Sequence, residues 1–251
     1  MLVDVHCHCN LYLSIDEIIR EANSKGVEKI ICVGMSALGL ERVMEISNKY
    51  VSIYPSLGIH PEEVQMNKDI KNQLKSVMEF IRKNGDKIVA IGEIGLDHYF
   101  VKDKTLYPSQ KKIFEQMLSL AQELNLPVIL HTKGAEKNVF DSLPSYDLPN
   151  INIHWYSGPE NLLKLGIERG YYFSITPAIS YSPAVKKTVE MVDINHLLLE
   201  SDGPVKYSGK IGTPSMITDV INTISKIKEI PCEDLERQIM ENSKKVFPKL
   251  F

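Results

Sequence analysis

Short, continuously apolar runs rich in β-branched residues recur along the chain, and segments of helical period separate them. Runs of strand length lie at 2–5, 29–33, 51–56 and 88–91, then at 127–130, 151–153, 171–174 and 197–199. Consecutive rather than alternating apolar positions suit parallel strands covered on both faces. Helical spacing predicts helices over 15–25, 40–49, 68–83, 109–124, 159–169 and 183–192, with two more near 214–228 and 233–246. Ser14 and Glu17 have the spacing of a capping box at the first helix, and Gly26 is placed for its C-terminal cap. Strands alternating with helices imply βαβ units. Eight of them in a chain of 251 residues predict one α/β domain over 1–251, a (β/α)8 TIM barrel with an extra C-terminal helix. The runner-up is an open doubly wound sheet. It would carry a glycine-rich fingerprint after its first strand, where this chain reads Cys7-His8-Cys9-Asn10-Leu11.

Composition narrows the function rather than the fold. Apolar residues make up 43% and charged residues 24%, which are ordinary globular proportions. The 29 basic and 32 acidic residues leave a net charge of −3, which excludes a general nucleic-acid coat and confines any such contact to a local site. The first residues lack a basic, then apolar, secretory signal, and no apolar run reaches the ~20 residues of a membrane span. The four cysteines suggest no disulfide framework, so the expectation is a reduced, cytoplasmic protein without membrane contact, and a monomer. Cys7 and Cys9 alternate with His6 and His8, but no second Cys/His pair completes a zinc finger. They read as small residues on the far face of a strand.

The chemistry gathers where a barrel keeps its active site, at the C-terminal strand ends. His6 and His8 follow the first strand, His60 the third, Glu93 the fourth, His131 the fifth, His154 the sixth and Asp202 the eighth. Only His98 and His196 fall elsewhere. His6 and His8 are two apart, so an extended chain aims both imidazoles to one side. Imidazoles with carboxylates suit Zn, Mn, Fe or Ni better than Ca. Six candidate ligands exceed the needs of one tetrahedral ion, and a pair sharing a carboxylate is the economical reading. Taken singly, His60 suits a structural histidine, Glu93 a loop carboxylate and Asp202 a turn residue before Gly203-Pro204. Their coincidence at six strand ends favours a metal site. Gly92 and Gly95 strengthen the case for Glu93, because they let the chain approach closely.

These residues resemble the TatD-type metal-dependent deoxyribonucleases, a branch of the amidohydrolase-like barrels. The likeness runs in order through Asp4-Val5-His6-Cys7-His8, Gly58-Ile59-His60-Pro61 and Gly92-Glu93-Ile94-Gly95-Leu96-Asp97. It continues through His131, His154-Trp155-Tyr156-Ser157-Gly158, Glu200-Ser201-Asp202-Gly203-Pro204 and an N-x-x-x-x-F helix at Asn242 to Phe247. The resemblance implies two divalent ions, with Mg, Mn and Zn as candidates. His6, His8 and Asp202 would hold one, His131 and His154 the second, and Glu93 would bridge. It implies catalytic roles for Asp202 and Glu93, and for His60 in orienting the scissile group. The chain departs from the family at His131-Thr132-Lys133-Gly134, where serine and arginine are usual, at His98-Tyr99, where two tyrosines are usual, and in the arginine-poor loop after Asp202.

The expected reaction is hydrolysis of a phosphodiester by a metal-activated water, in the manner of an exonuclease on single-stranded DNA or DNA ends. Lys133, Tyr99, Trp155 and Lys206 are the candidate substrate contacts. Lys102, Lys104, Lys210, Phe100, Tyr156 and Tyr207 share their loops, with lysines for phosphates and aromatics for unstacked bases. The alternatives are a hydrolase of a small C–N, ester or phosphoester substrate, and a non-catalytic binding protein on the same scaffold.

Overall fold

The computed structural model describes residues 1–251. Eight parallel strands lie side by side in chain order. They are β1 (Leu2–Cys7), β2 (Val27–Val33), β3 (Ile53–Leu57), β4 (Ala90–Gly95), β5 (Val128–His131), β6 (Ile151–His154), β7 (Tyr172–Ile175) and β8 (Leu197–Leu199). Past the end of β8 the sheet meets its own beginning. Asp202 N donates to His6 O, and His8 N donates to Gly203 O, each at 2.8 Å. The result is the expected TIM barrel rather than the open sheet, and its final stitches are made by the residues of the expected site.

Ten helices wrap the barrel. They are α1 (Ile15–Ser24), α2 (Leu40–Lys49), α3 (Glu63–Met66), α4 (Ile70–Lys83), α5 (Tyr107–Leu124), α6 (Glu136–Ser142), α7 (Glu160–Glu168), α8 (Pro183–Met191), α9 (Ile217–Lys228) and α10 (Cys232–Val246). A hairpin of β9 (Lys206–Tyr207) and β10 (Lys210–Ile211) interrupts the path from β8 to α9. The periodicity missed α6, which follows β5, because seven residues with two apolar positions are too short to show a period. Ser14 caps no amide with its side chain, so the expected capping box is not formed, whereas Gly26 takes the left-handed φ of +76° expected of a C-terminal cap. No helix is long and apolar enough to cross a membrane.

Two apolar cores divide the interior. The larger fills the space between sheet and helices. The smaller lies inside the barrel, where Val3, Val5, Ile31, Ile129 and Leu198 meet, and Val246, Phe247 and Leu250 close its base. This accounts for the C-terminal motif physically. Asn242 on α10 donates to the carbonyls of Ile194 and Leu197 at 2.7 and 2.8 Å, which fixes α10 against the start of β8. Phe247 then plugs the barrel floor, fully buried.

The strands that carry the site break their own alternation. Between Asp4 and Cys7, β1 holds one residue more than its partner β2 does between Ile30 and Cys32. Between Ile91 and Ile94, β4 likewise holds one more than β5. An extra residue re-aims a strand. Val3 and Val5 face the barrel interior and Cys7 faces the helices, so the β1 bulge turns His6 into the mouth. The β4 bulge does the same for Glu93, while Ile91 and Ile94 keep their places in the outer core.

Candidate metal centre and catalytic mouth

Glu93 is the hub of the mouth. Its Oε2 lies 3.3 Å from His6 Nε2 and 3.6 Å from His8 Nε2. Its Oε1 lies 3.0 Å from His131 Nδ1, 3.5 Å from His60 Nε2 and 3.9 Å from His154 Nε2. Asp202 faces the same group, 3.5 Å from His6 and 3.4 Å from His8 through Oδ1, and 3.9 Å from His154 through Oδ2. The six expected ligands and His60 are thus brought together, and all but the half-buried His131 are buried. The donors group as His6, His8 and Glu93, as His6, His154 and Asp202, and as His60, Glu93 and His131. His154 stacks on His6 at 3.9 Å and lies 6.4 Å from His131, with which it shares Glu93 Oε1.

Oxygen partners fix three of the imidazoles from behind. His8 Nδ1 lies 2.9 Å from the carbonyl of Val33, which can only accept, so Nδ1 holds the proton and Nε2 turns a lone pair inward. His131 Nε2 pairs with Asp97 at 2.7 Å and leaves Nδ1 toward Glu93. His154 Nδ1 faces Glu200 at 2.9 Å and leaves Nε2 toward both carboxylates. A carboxylate or carbonyl behind a histidine is the usual support of a metal ligand. His60 differs. Its Nδ1 accepts the backbone N–H of Glu62 at 3.3 Å, so its proton sits on Nε2 and faces the cavity. His60 therefore presents a donor where the others, once neutral, present lone pairs.

Asp97 and Glu200 were not given roles from the sequence, although both lie inside the motifs that carry Glu93 and Asp202. Asp97 also organises the rim. Its Oδ1 accepts the backbone amides of Tyr99, Phe100 and Val101 at 2.8, 2.5 and 3.2 Å, while its Oδ2 holds His131. Asp4 performs the matching task between β1 and β8. It accepts the Ser201 amide at 2.9 Å and its hydroxyl at 2.6 Å. Burial dominates there, and pushes the Asp4 carboxyl up to about 7.

The electrostatics follow from crowding. Burial alone would raise the Glu93 carboxyl, but the surrounding His60, His6 and His131 hold it well below the usual carboxylate range. Asp202 is lowered in the same way, its burial outweighed by His154, His8 and His6. Burial opposes charge on the imidazoles too. Asp202 and Glu93 nonetheless hold His8 up at about 9, Asp97 and Glu93 hold His131 at about 9, and Glu200 and Asp202 hold His154 at about 10. His6 moves down, through burial and the charge of His154, and its buried Nδ1 has no partner. Such a site exchanges imidazole protons for a cation. The nitrogen lone pairs and paired carboxylates fit a divalent ion of the transition series.

Backbone shape reflects the same demand. Asp202 and Trp155 adopt left-handed φ values of +47° and +40°, uncommon for side-chain-bearing residues and costly for a bulky one. The expected close approaches at glycine are present. A Cβ on Gly95 would stand 1.9 Å from His131 O, and one on Gly92 2.7 Å from the Ile129 Cβ.

A cavity of about 660 Å³ opens above the cluster, rimmed by Leu11, Tyr99, Phe100, Lys133, Trp155 and Val205. Lys133 Nζ donates to Ser157 Oγ at 2.7 Å and stands 5.5 Å from the Tyr99 ring. Lys133, Tyr99 and Trp155 thus line the cavity. Lys206 does not line this cavity, because the β9–β10 hairpin carries it outward into solvent. Tyr156 and Tyr207 are buried, with hydroxyls donating to Pro159 O and Ser201 O, and serve the scaffold. Cys7 and Cys9 are free, buried and part of the outer core, as expected.

A barrel with buried imidazoles and carboxylates at its strand ends is the architecture of a metal-dependent hydrolase. The chain belongs to the TatD-related DNase family, whose model matches residues 3–248. A Methanocaldococcus jannaschii protein named an uncharacterized metal-dependent hydrolase is 36% identical over 98% of this chain and 97% of its own length. The human deoxyribonuclease TATDN3 is 28% identical over 99% of this chain and 95% of its own. Among solved structures, the Escherichia coli TatD homolog YjjV superposes with a TM-score of 0.90, at 25% identity and with 98% of each chain covered.

Proposed function

We propose that this hydrolase cleaves phosphodiester bonds in DNA, at single-stranded segments or strand ends, with two divalent ions drawn from Mg, Mn or Zn. The observation that carries the reading is the division of labour at Glu93, whose two oxygens face separate sets of imidazoles beneath a cavity rimmed by lysine and aromatics. His6, His8 and Asp202 would hold one ion and His131 with His154 the other, with Glu93 between them. Bound there, the ions supply charge stabilisation and a water of lowered pKa. The kinship with a protein named deoxyribonuclease supports DNA as the substrate. The free cysteines agree with a reducing, cytoplasmic setting.

The chain's own groups divide the remaining work. Asp202, kept ionised by its histidines, accepts the proton of the attacking water at a carboxylate oxygen. His60 donates from Nε2 to a non-bridging phosphate oxygen and orients it. Lys133 adds positive charge at the rim, and Tyr99 and Trp155 offer faces for unstacked bases. The test incubates purified protein with Mg²⁺ or Mn²⁺ and end-labelled single-stranded DNA, beside lactones, amides and phosphomonoesters. Metal-dependent shortening of the DNA is expected. Turnover of the small substrates alone would assign the site to a different hydrolysis.

A further inference from the structure

A second groove matches the mouth cavity in size. It measures about 650 Å³ and runs down the barrel wall between α4 and α5. Lys71, Lys75 and Arg82 line it from α4 and Lys112 from α5, over a floor that includes Leu74 and Ile113. Lys71 and Lys75 are four apart, so the helix places them on one face. The basic residues are not equivalent. Arg82 is held by Glu123 through two bonds of 2.6 and 2.8 Å, and Glu79 lines the same lower end. Lys71, Lys75 and Lys112 form no ion pair, and they lie in the first two turns of their helices. Those turns follow β3 and β4 and open at the catalytic face. Positive charge is therefore concentrated at the end nearest the mouth, on a chain whose net charge is −3.

Residues of the loop after β4 and the start of α5 lie between mouth and groove. Gln110, on the first turn of α5, is buried and donates to the carbonyls of Asp97 and Pro61 at 3.0 and 3.2 Å. The ring of Tyr107 stacks on His98 at 3.7 Å. Lys102 stands 4.6 Å from the ring of Tyr99, which lines the mouth, and the exposed Lys104 precedes α5.

We propose that the α4–α5 groove is a second binding site, for the sugar–phosphate backbone of a single nucleic-acid strand whose end lies in the mouth. The proposal rests on the phosphodiesterase reading and adds to it a reason to favour long strands. Ammonium groups hold phosphates without reading bases, so the site is indifferent to sequence. Along α4 Lys71 and Lys75 are about 6 Å apart, so with Lys112 they can meet the phosphates of two or three successive nucleotides.

The test compares the wild type with a Lys71→Ala, Lys75→Ala, Lys112→Ala variant, in Mn²⁺. Binding is read by fluorescence anisotropy of a hydrolysis-resistant phosphorothioate dT20. Turnover is read on unmodified dT4, which has too few phosphates to occupy the mouth and all three groove lysines together. The variant is expected to bind dT20 on the order of tenfold more weakly at low salt. Its plot of log affinity against log salt should be shallower by about 2, since each phosphate contact contributes about 0.7 for single strands. Turnover of dT4 and the melting temperature should not change. Unchanged dT20 binding overturns the proposal, and is the result expected if the groove takes an acidic protein instead. Equal loss on dT4 and dT20 also overturns it. A wild type that cleaves no DNA, yet binds dT20 through these lysines, leaves the groove standing and removes the nuclease reading. A wild type that cleaves dT4 without binding dT20 removes the groove alone.

Discussion

The two ends of the barrel solve opposite problems with the same eight strands. The base is apolar, sealed by Val246, Phe247 and Leu250, and its side chains gain by leaving water. The mouth buries His6, His8, Glu93, Asp97, His154, Glu200 and Asp202 within one cluster, where a charge is tolerable because an opposite one faces it. Stability is thus concentrated at one end and chemistry at the other. A buried charge cluster is weak evidence for stability, and strong evidence for a site that awaits a cation.

The sharpest way to break this contrast is to exchange the expected effects. Glu93→Gln keeps the shape of the side chain and removes the charge that both sets of imidazoles face. Metal-dependent turnover is expected to fall by about 10³-fold or more, a larger loss than any drop in the melting temperature of chelator-treated protein explains. Phe247→Ala opens a cavity under the barrel and should cost about 3–5 kcal/mol by denaturant titration, with turnover per folded molecule kept. Active Glu93→Gln protein, or a Phe247→Ala protein whose folded fraction is inactive, would dissolve the division between the ends.

A smaller effect tests how the mouth supports itself. Asp97 holds His131 with one oxygen and the rim amides of Tyr99, Phe100 and Val101 with the other. Asn at this position retains one carbonyl oxygen for the rim and withdraws the charge behind His131. Metal affinity, measured by titration calorimetry, should weaken about 10–100-fold. KM at saturating metal should hardly move, whereas Asp97→Ala, which frees the loop as well, should raise it. Identical KM values for the two variants would show that Asp97 does not position the rim.

The same contrast explains what could be read from the chain. The barrel was legible because its strands are continuous apolar runs, and the ligands were legible because imidazoles stood at strand ends. Side-chain alternation was not. Carried forward from Val3 and Val5, a period of two turns Cys7 inward and His6 outward, and only the bulge that β2 reveals reverses this. Bulges depend on pairing with a distant strand and leave no local signature. Asp97 and Glu200 stood in plain view inside motifs, yet their partners, His131 and His154, are 34 and 46 positions away. Lys206 lies off the cavity because a hairpin of two-residue strands, too short for any periodicity, turns it out.

The mildest perturbation, pH, should still separate the ends in chelator-treated protein. His8, His131 and His154 are held at about 9, 9 and 10 in the folded chain against an ordinary 6.5. The folded state therefore keeps protons that the unfolded state releases. That stabilisation is fully present below about pH 6.5 and is lost as pH rises through 9 to 10. Glu93 and Asp202, lowered on folding, act with the opposite sign. Their contribution is complete above the ordinary carboxylate range and is lost only as pH falls below it. Asp4, raised to about 7, completes most of its change below that pH. Between pH 7 and 9 the imidazoles thus control the slope, and the apolar base adds nothing to it. Melting of chelated protein should fall across that window, by about 2–4 °C for each kcal/mol lost. Saturating Mn²⁺ should flatten or reverse the slope, because a bound cation has already displaced the protons. A chelated protein whose melting temperature rises from pH 7 to 9 would mean that the carboxylates do not hold these histidines charged.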